Sequence, residues 1–355
     1  MMKIDVDKLR FGLDTFGDVA YTDTFHTKMS YRESLQNLIK EGQLADQLGL
    51  DVIALGEHHR EEFSISSPEV VLGALASTTK NIHLSTGVTV LSSDDPVRVY
   101  ERFATIDAIS DGRAEIILGR GSFTESFPLF GYDLKDYDDL FVEKVGLFNA
   151  LLTQDHVDWE SKHVQKLENV RTYPRIEGHQ LPVAIGVGGT PESVLRTAYY
   201  GYSLVLAIIS GDADRFAPYI KLYKKAAEEY GTKVGEIGVH SHGIITEDDD
   251  DEAYNIGWKY IKSSMDRVGK DRGWPEMTRE RYNYEVIKGA LYVGSVETVA
   301  KRIATTISDL GIDRFDLVYG TGGQLESDRM RTIELYATKV IPRVKEILQE
   351  ANENE

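Results

Sequence analysis

Cysteine is absent from the 355 residues, so the chain has no disulfide framework, no thiolate metal site and no cysteine nucleophile. Long apolar runs are missing too, none approaching the roughly 18 residues that a membrane span needs. The start, Met1-Met2-Lys3-Ile4-Asp5, is charged early and lacks the apolar stretch of a secretory signal. Positive charge is in deficit: Lys+Arg is 40 against Asp+Glu 58, a formal net charge of −18. That balance argues against a general binder of nucleic-acid backbone, which needs a basic face, yet leaves room for a local basic pocket around one phosphate. Proline is sparse, at 9 residues, and no low-complexity tract interrupts the chain. These absences predict a soluble, cytoplasmic protein without a nucleic-acid or membrane partner, long enough to bury a full core.

What is present is an alternation. Eight short runs rich in branched residues recur: Leu9–Asp14, Asp51–Leu55, His83–Val90, Arg113–Leu118, Pro182–Val187, Ser203–Ile208, Ile237–His242 and Arg314–Tyr319. Their lack of clean apolar/polar alternation suits parallel strands buried on both faces. Helix signals fall between them. Ser30-Tyr-Arg-Glu33 reads as a capping box, and Ser67-Pro68, Asp95-Pro96 and Thr190-Pro191 each place an N-cap residue before a first-turn proline. Gly49 and Gly311 read as helix C-caps leading into strands. Eight βα units predict an α/β fold, a (β/α)8 TIM barrel, rather than an open doubly wound sheet. The whole chain, 1–355, reads as one domain with insertions after strands 4 and 7, at about 154–181 and 267–292. The first insertion follows a helix near Tyr137–Thr153 and resembles a small hairpin from Val157 to Leu167. The acidic run Glu247–Glu252 reads as a solvated helix start, where carboxylates suit the dipole.

In such a barrel the chemistry belongs after the C-terminal strand ends. Strand 2 runs into Gly56-Glu57-His58-His59, where adjacent rings point apart, so that at most one faces a ligand. Strand 7 carries His240-Ser-His242, whose spacing of two puts both rings on one face. Strand 4 ends in Gly119-Arg120-Gly121-Ser122, either an arginine for a phosphate between permissive glycines or a buried ion pair closing the barrel. After strand 5, Gly186-Val-Gly188-Gly189-Thr190-Pro191-Glu-Ser193 opens a helix, an anion site made of amides and hydroxyls. It matches neither G-x-G-x-x-G nor a P-loop. Gly320-Thr-Gly-Gly323 repeats the small-residue theme after strand 8. Glu57, His58, His59, His240 and His242 also allow a rival reading, a metal-dependent TIM-barrel hydrolase.

Taken in order, Glu57-His58-His59, Ser85-Thr86-Gly87-Val88, Asp95-Pro96-Val97-Arg98 and the stretch from Asp111-Gly112-Arg113 to Gly119-Arg120-Gly121 resemble the luciferase-like flavin-dependent monooxygenases over nearly the whole chain. The resemblance implies a TIM barrel that binds FMN at its mouth, as FMNH2 from a separate NAD(P)H:flavin reductase. It also implies O2 as co-substrate, a small organic substrate such as an aldehyde, alkanesulfonate or aminocarboxylate, and a homodimer. His58 then takes the catalytic position, oriented by Glu57. Thr86 and Gly87 pass beside the flavin ring, where relatives often show unusual peptide geometry. Gly119, Arg120 and Gly121 with Gly188, Gly189, Thr190 and Ser193 cradle the cofactor and its phosphate, and no metal is expected. Where some relatives place a second phosphate arginine, this chain reads Asp136-Tyr-Asp-Asp139. The region 267–292 corresponds to a lid. Lacking cysteine, the chain gives no support to light emission. A flavin- or deazaflavin-binding protein without oxygenase turnover is the remaining alternative.

Overall fold

The computed structural model describes residues 3–22, 27–121 and 123–354, apart from the side chains at 271 and 272. Met1, Met2 and Ser122, quoted above, lie outside the described residues. Eight parallel strands form the ring: β1 (Arg10–Thr15), β2 (Val52–Leu55), β3 (His83–Thr86), β4 (Ile116–Gly119), β5 (Val183–Val187), β6 (Ser203–Ala207), β7 (Ile237–Thr246) and β8 (Arg314–Val318). Neighbours pair in sequence from β1 to β3 and from β4 to β8, and β8 pairs back onto β1. The β3–β4 join is made by the Leu84–Ala114 bridge and by Thr89–Val90, which resumes β3 and pairs with β4. The fold is thus a TIM barrel, and all eight expected runs are strands. The run His83–Val90 is two strands rather than one, broken at Gly87-Val88, whose peptide is cis.

The helix-start positions are as read, although Ser67 and Thr190 make no side-chain cap bond. Ser30 and Glu33 form both bonds of the capping box on helix Tyr31–Gln47, and Asp95 caps helix Pro96–Ser110 through the amides of Val97 and Arg98. Gly311 ends its helix in the left-handed conformation, which glycine adopts without a Cβ penalty. On the strands, Leu13, Ile53, Leu84, Leu204 and Leu317 are fully buried and join one cluster with helix residues Leu72, Phe103, Phe148 and Ile303. Each such side chain contributes about 1.5–3 kcal/mol through burial. Alternate strand positions face the barrel interior, and there the composition splits. One end holds a buried ionic layer, with Arg314 contacting Asp316 at 2.6 Å and Glu115 at 3.0 Å, while Arg10 contacts Glu115 at 2.5 Å and Glu236 at 3.0 Å. Above it sit Ile117, Ala184, Val205 and Val88, mostly small and apolar, which leave the mouth open.

Insertions follow β4 and β7. After β4 come helix Tyr137–Thr153 and the antiparallel hairpin Val157–Trp159/Leu167–Val170. After β7 come helices Asp250–Arg272 and Arg279–Ile287 and a strand, Tyr292–Ser295. That strand pairs with Gly243–Thr246, which is why β7 runs four residues beyond the expected His242. The insertion carries its own apolar cluster, including Ile244, Ile261, Met277, Tyr282 and Val293. The acidic run does more than face solvent. Asp249 caps the helix, and Asp250 accepts from the Ser295 amide and the Thr298 hydroxyl, tying helix to strand. Among the described residues no helix is long and apolar enough to cross a membrane.

Candidate active site

A cavity of about 320 Å³ opens at the C-terminal mouth of the barrel. It collects Glu57, His58, Gly87, Gly119, Arg120, Gly121 and Gly188 on its walls, together with His59, His240, His242 and Thr321. Residues separated by more than 260 positions meet there because every loop concerned follows a strand of one parallel ring. Ser264, Met265, Val268 and Trp274 cover the cavity from the second insertion, so part of the expected lid lies over the site.

His58 sits in a cage of rings, with Phe16, Phe63 and Phe123 centred 5.3, 4.5 and 4.7 Å from its own. A Cβ at Gly56 would lie 2.4 Å from the Phe16 ring, so that glycine is what lets the ring close over the histidine. The expected orienting role of Glu57 toward His58 is not what the geometry shows. Glu57 Oε1 lies 2.9 Å from His59 Nε2, and Oε2 accepts from the Val90 amide at 3.1 Å. The two rings meet different neighbours, His58 the phenylalanine cage and His59 Phe130, and the carboxylate bonds the second. This bond raises the His59 pKa, burial opposing it. The carboxylate near His58 is Glu125, with Oε1 3.6 Å from Nδ1, too long for a direct hydrogen bond but close enough to pair with an imidazolium. Burial works against ionisation of Glu125, but His58 and nearby amides outweigh it and lower its pKa.

The opposite wall is built by β7 and β8. His240 Nδ1 lies 2.6 Å from Asp14 Oδ2, and His242 Nδ1 lies 2.7 Å from Thr321 Oγ1. Burial works against charge on His240, yet Asp14 outweighs it and raises the pKa. Burial, and then the charge on His240, push His242 down to about 4. The two rings are therefore shifted in opposite directions. Gly87 comes so close to Asp14 that a Cβ there would lie 2.6 Å from a carboxylate oxygen. On the cavity wall Asp18 accepts from the Gly322 amide at 2.8 Å, and burial raises its pKa.

The basic end centres on Arg120, which is partly exposed and makes no barrel-closing pair; Arg314 and Arg10 do that. Arg120 Nη2 donates to Thr190 Oγ1 at 3.3 Å, and Thr190 Oγ1 donates to Ser193 Oγ at 2.8 Å. Thr190 makes no side-chain bond to the amides of helix Pro191–Tyr200, so its hydroxyl is turned toward the arginine. Four expected residues lie off the cavity wall: Thr190 and Ser193 behind Arg120, and Thr86 and Gly189 in other roles. Thr86 is fully buried, with Oγ1 bonded to the backbone of Ile117 and to Thr89, a strut between β3 and β4 rather than a cavity wall. Gly189 has φ +120° and its carbonyl accepts from Tyr219 at 2.7 Å.

Reading the sequence missed Asp14, Glu125, the phenylalanine cage and Arg196. Arg196 follows Ser193 by one helical turn, close enough to Arg120 to feel its charge, which with burial lowers its pKa. The turn spacing was a usable signal for Arg196, as was a carboxylate at the end of β1 for Asp14; nothing local marks the cage. Among the described residues no three His, Cys, Asp or Glu side chains form a group able to hold a metal ion. The rival hydrolase reading therefore has no gathered ligand set among the described residues, its His59, His240 and His242 being engaged with Glu57, Asp14 and Thr321.

Comparison with known proteins agrees with this picture. The family model for luciferase-like monooxygenases matches residues 16–314. The alkanal monooxygenase alpha chain of Photorhabdus luminescens is 26% identical over 356 residues, covering 90% of this chain and 94% of that one. The oxygenating constituent of 3,6-diketocamphane monooxygenase from Pseudomonas putida, solved with FMN, superposes with a TM-score of 0.76 at 18% identity, over 95% of this chain and 99% of that one. The coenzyme F420-dependent tetrahydromethanopterin reductase of Methanopyrus kandleri superposes with a TM-score of 0.69, also at 18% identity and with the same coverage. The chain belongs to the luciferase-like monooxygenase family.

Proposed function

We propose that the protein is a monooxygenase that takes reduced FMN and O2 and oxidises a small organic substrate. One observation carries this reading: Arg120, which reaches the Thr190–Ser193 hydroxyl pair, and the caged His58 line one apolar cavity. The residues present suit FMN. Arg120, Thr190 and Ser193, with Arg196 behind them, would hold the phosphate at a helix N-terminus. The ring system would enter between Gly87, Ile117, Gly186 and Val205, where small side chains leave width. Reduced FMN, when bound, supplies the electrons with which O2 is activated toward the substrate.

The chain itself contributes position, dryness and proton control. Phe16, Phe63, Phe123 and Trp274 exclude water from the cavity. His58 holds or passes a proton at its ring nitrogens, and Glu125 stabilises the imidazolium when that ring is charged. His240, held by Asp14, and His242, held by Thr321, present ring nitrogens on the far wall, the second of them neutral at pH 7. The same reading includes a separate NAD(P)H:flavin reductase as supplier, a single domain over 1–355, a cytoplasmic location and a homodimer formed through outer helices.

Titration of the purified protein with FMN, oxidised and anaerobically reduced, and with F420, followed by absorption, tests the cofactor. Reduced FMN is expected to bind most tightly; binding of F420 alone would move the chain to the deazaflavin hydride-transfer branch. Reductase-coupled oxygen uptake, measured with product and peroxide together, then tests turnover.

A further inference from the structure

Arg120 is gripped on two sides. Its Nη2 reaches Thr190, and its Nη1 lies 2.6 Å from Asp138 Oδ1. Asp138 sits in the first turn of helix Tyr137–Thr153, and the neighbouring Tyr137 docks the same turn against the arginine loop. The Tyr137 hydroxyl donates to the Gly121 carbonyl at 2.7 Å, and the Arg120 guanidinium lies 5.4 Å from the centre of its ring. The Asp138 side chain is 74% exposed, against 27% for Arg120, so the carboxylate reaches in from solvent to a more shielded cation. Arg196 stands nearby, half-buried with its guanidinium over the Phe141 ring, and it feels the charges of both Arg120 and Asp138. Among the described residues Arg120 lacks a buried counter-ion, and Asp138 supplies it an anion from the chain itself.

We propose that Asp138 is a built-in counter-anion for Arg120, which an incoming phosphate group must displace, and that this displacement keeps the phosphorylated cofactor exchangeable. The inference rests on the flavin reading above and deepens it by naming what sets cofactor residence. The physical basis is a competition for one guanidinium face. An exposed carboxylate–arginine pair is worth little in water, whereas a phosphate held by Arg120 and two hydroxyls makes several charge-assisted bonds, so the phosphate wins. It wins at a discount, because the Asp138 pair is lost and the carboxylate remains beside the bound dianion. Asp136-Tyr-Asp-Asp139 is therefore a working part of the phosphate end, one that loosens it. A loosened phosphate suits a cofactor delivered reduced by another protein and released oxidised after each turnover.

The test uses the full chain, Asp138→Asn, and three probes: FMN, riboflavin and inorganic phosphate. Removing the competing charge should tighten FMN binding by up to about 5-fold, the span of an exposed ion pair, and slow its release. Riboflavin, lacking the phosphate, should bind both proteins equally. Inorganic phosphate should raise the melting temperature of Asp138→Asn more than that of the wild type. In an Arg120→Ala background the Asp138→Asn change should have no effect on FMN. The proposal falls if Asp138→Asn leaves FMN and phosphate binding unchanged or weaker, if riboflavin tightens as much as FMN, or if the effect survives without Arg120. If neither protein binds FMN while the phosphate response still grows in Asp138→Asn, the counter-anion stands and the flavin reading fails.

Discussion

Glu57 gives its carboxylate to His59 and not to His58: Oε1 lies 2.9 Å from His59 Nε2, while His58 Nδ1 faces Glu125 at 3.6 Å. Adjacent histidines with separate carboxylates have separable duties. Glu57 also accepts from the Val90 amide, so its pair with His59 braces the loop against the resumed third strand. Glu125 is tied to that loop through the His59 amide at 3.3 Å, which keeps it beside the caged ring.

His58→Ala should leave FMN binding nearly intact and cut coupled turnover by about 100-fold or more, the scale of a lost general acid–base group. Reduced FMN would still be oxidised, increasingly with release of H2O2. Peroxide and product measured together, with reduced FMN supplied, compare this variant with His59→Ala. Failure of the His59 variant with a working His58 variant reverses the assignment, and two working variants remove both residues from the chemistry.

Arg120→Ala should weaken FMN binding by about 1–3 kcal/mol, the range for a lost charged hydrogen bond. Riboflavin binding, read by the same fluorescence titration, should barely move. An unchanged FMN affinity would take Arg120 out of the phosphate site.

The two histidines of β7 predict opposite pH effects on stability. His242 is held near 4 in the fold against 6.5 for an ordinary histidine, so below pH 6.5 the unfolded chain takes up a proton that the folded one refuses. Stability drains between about pH 6.5 and 4, by up to about 3 kcal/mol. His240, raised by Asp14, adds stability that is full below its ordinary pKa and fades as pH rises through the folded value. Urea unfolding of His242→Gln at pH 7 and pH 5 should show a smaller acid loss than the wild type. An equal loss would mean that His242 does not drive the acid limb.

Arg314→Met should cost about 3–5 kcal/mol, because it strands Glu115 and Asp316 in the barrel without their cation. The deficit should narrow at lower pH as those carboxylates take up protons. Chemical denaturation decides; a loss below about 1 kcal/mol would show that the layer relaxes around the gap.

Much of the fold is local information. Each of the eight strand runs is a short stretch of branched residues bounded by its own caps and glycines, so the count of βα units, the capping box at Ser30–Glu33 and the helix from Tyr137 could be read without knowing what touches what. The glycine loops and the Glu57-His58-His59 stretch were legible for the same reason, since a parallel ring sends every strand's C-terminal end to one mouth. The second half of β7 was not, because Gly243–Thr246 becomes strand only by pairing with Tyr292–Ser295, nearly fifty residues later.

Partnership within the site was decided by the tertiary structure. Proximity in sequence favoured Glu57 as the partner of His58, yet the loop sends the two side chains to different neighbours, and the carboxylate that faces His58 comes from after β4. Thr86 lies within the stretch that resembles a cofactor-binding one, but its side chain falls on the strand face that meets Ile117. Asp14 and His240, 226 residues apart, share a hydrogen bond because β1 and β7 both flank β8 in the closed ring. A sequence specifies which residue types stand at the strand ends. Which of them meet depends on register and ring closure, and these are set by the summed packing of the whole barrel rather than by any local pattern.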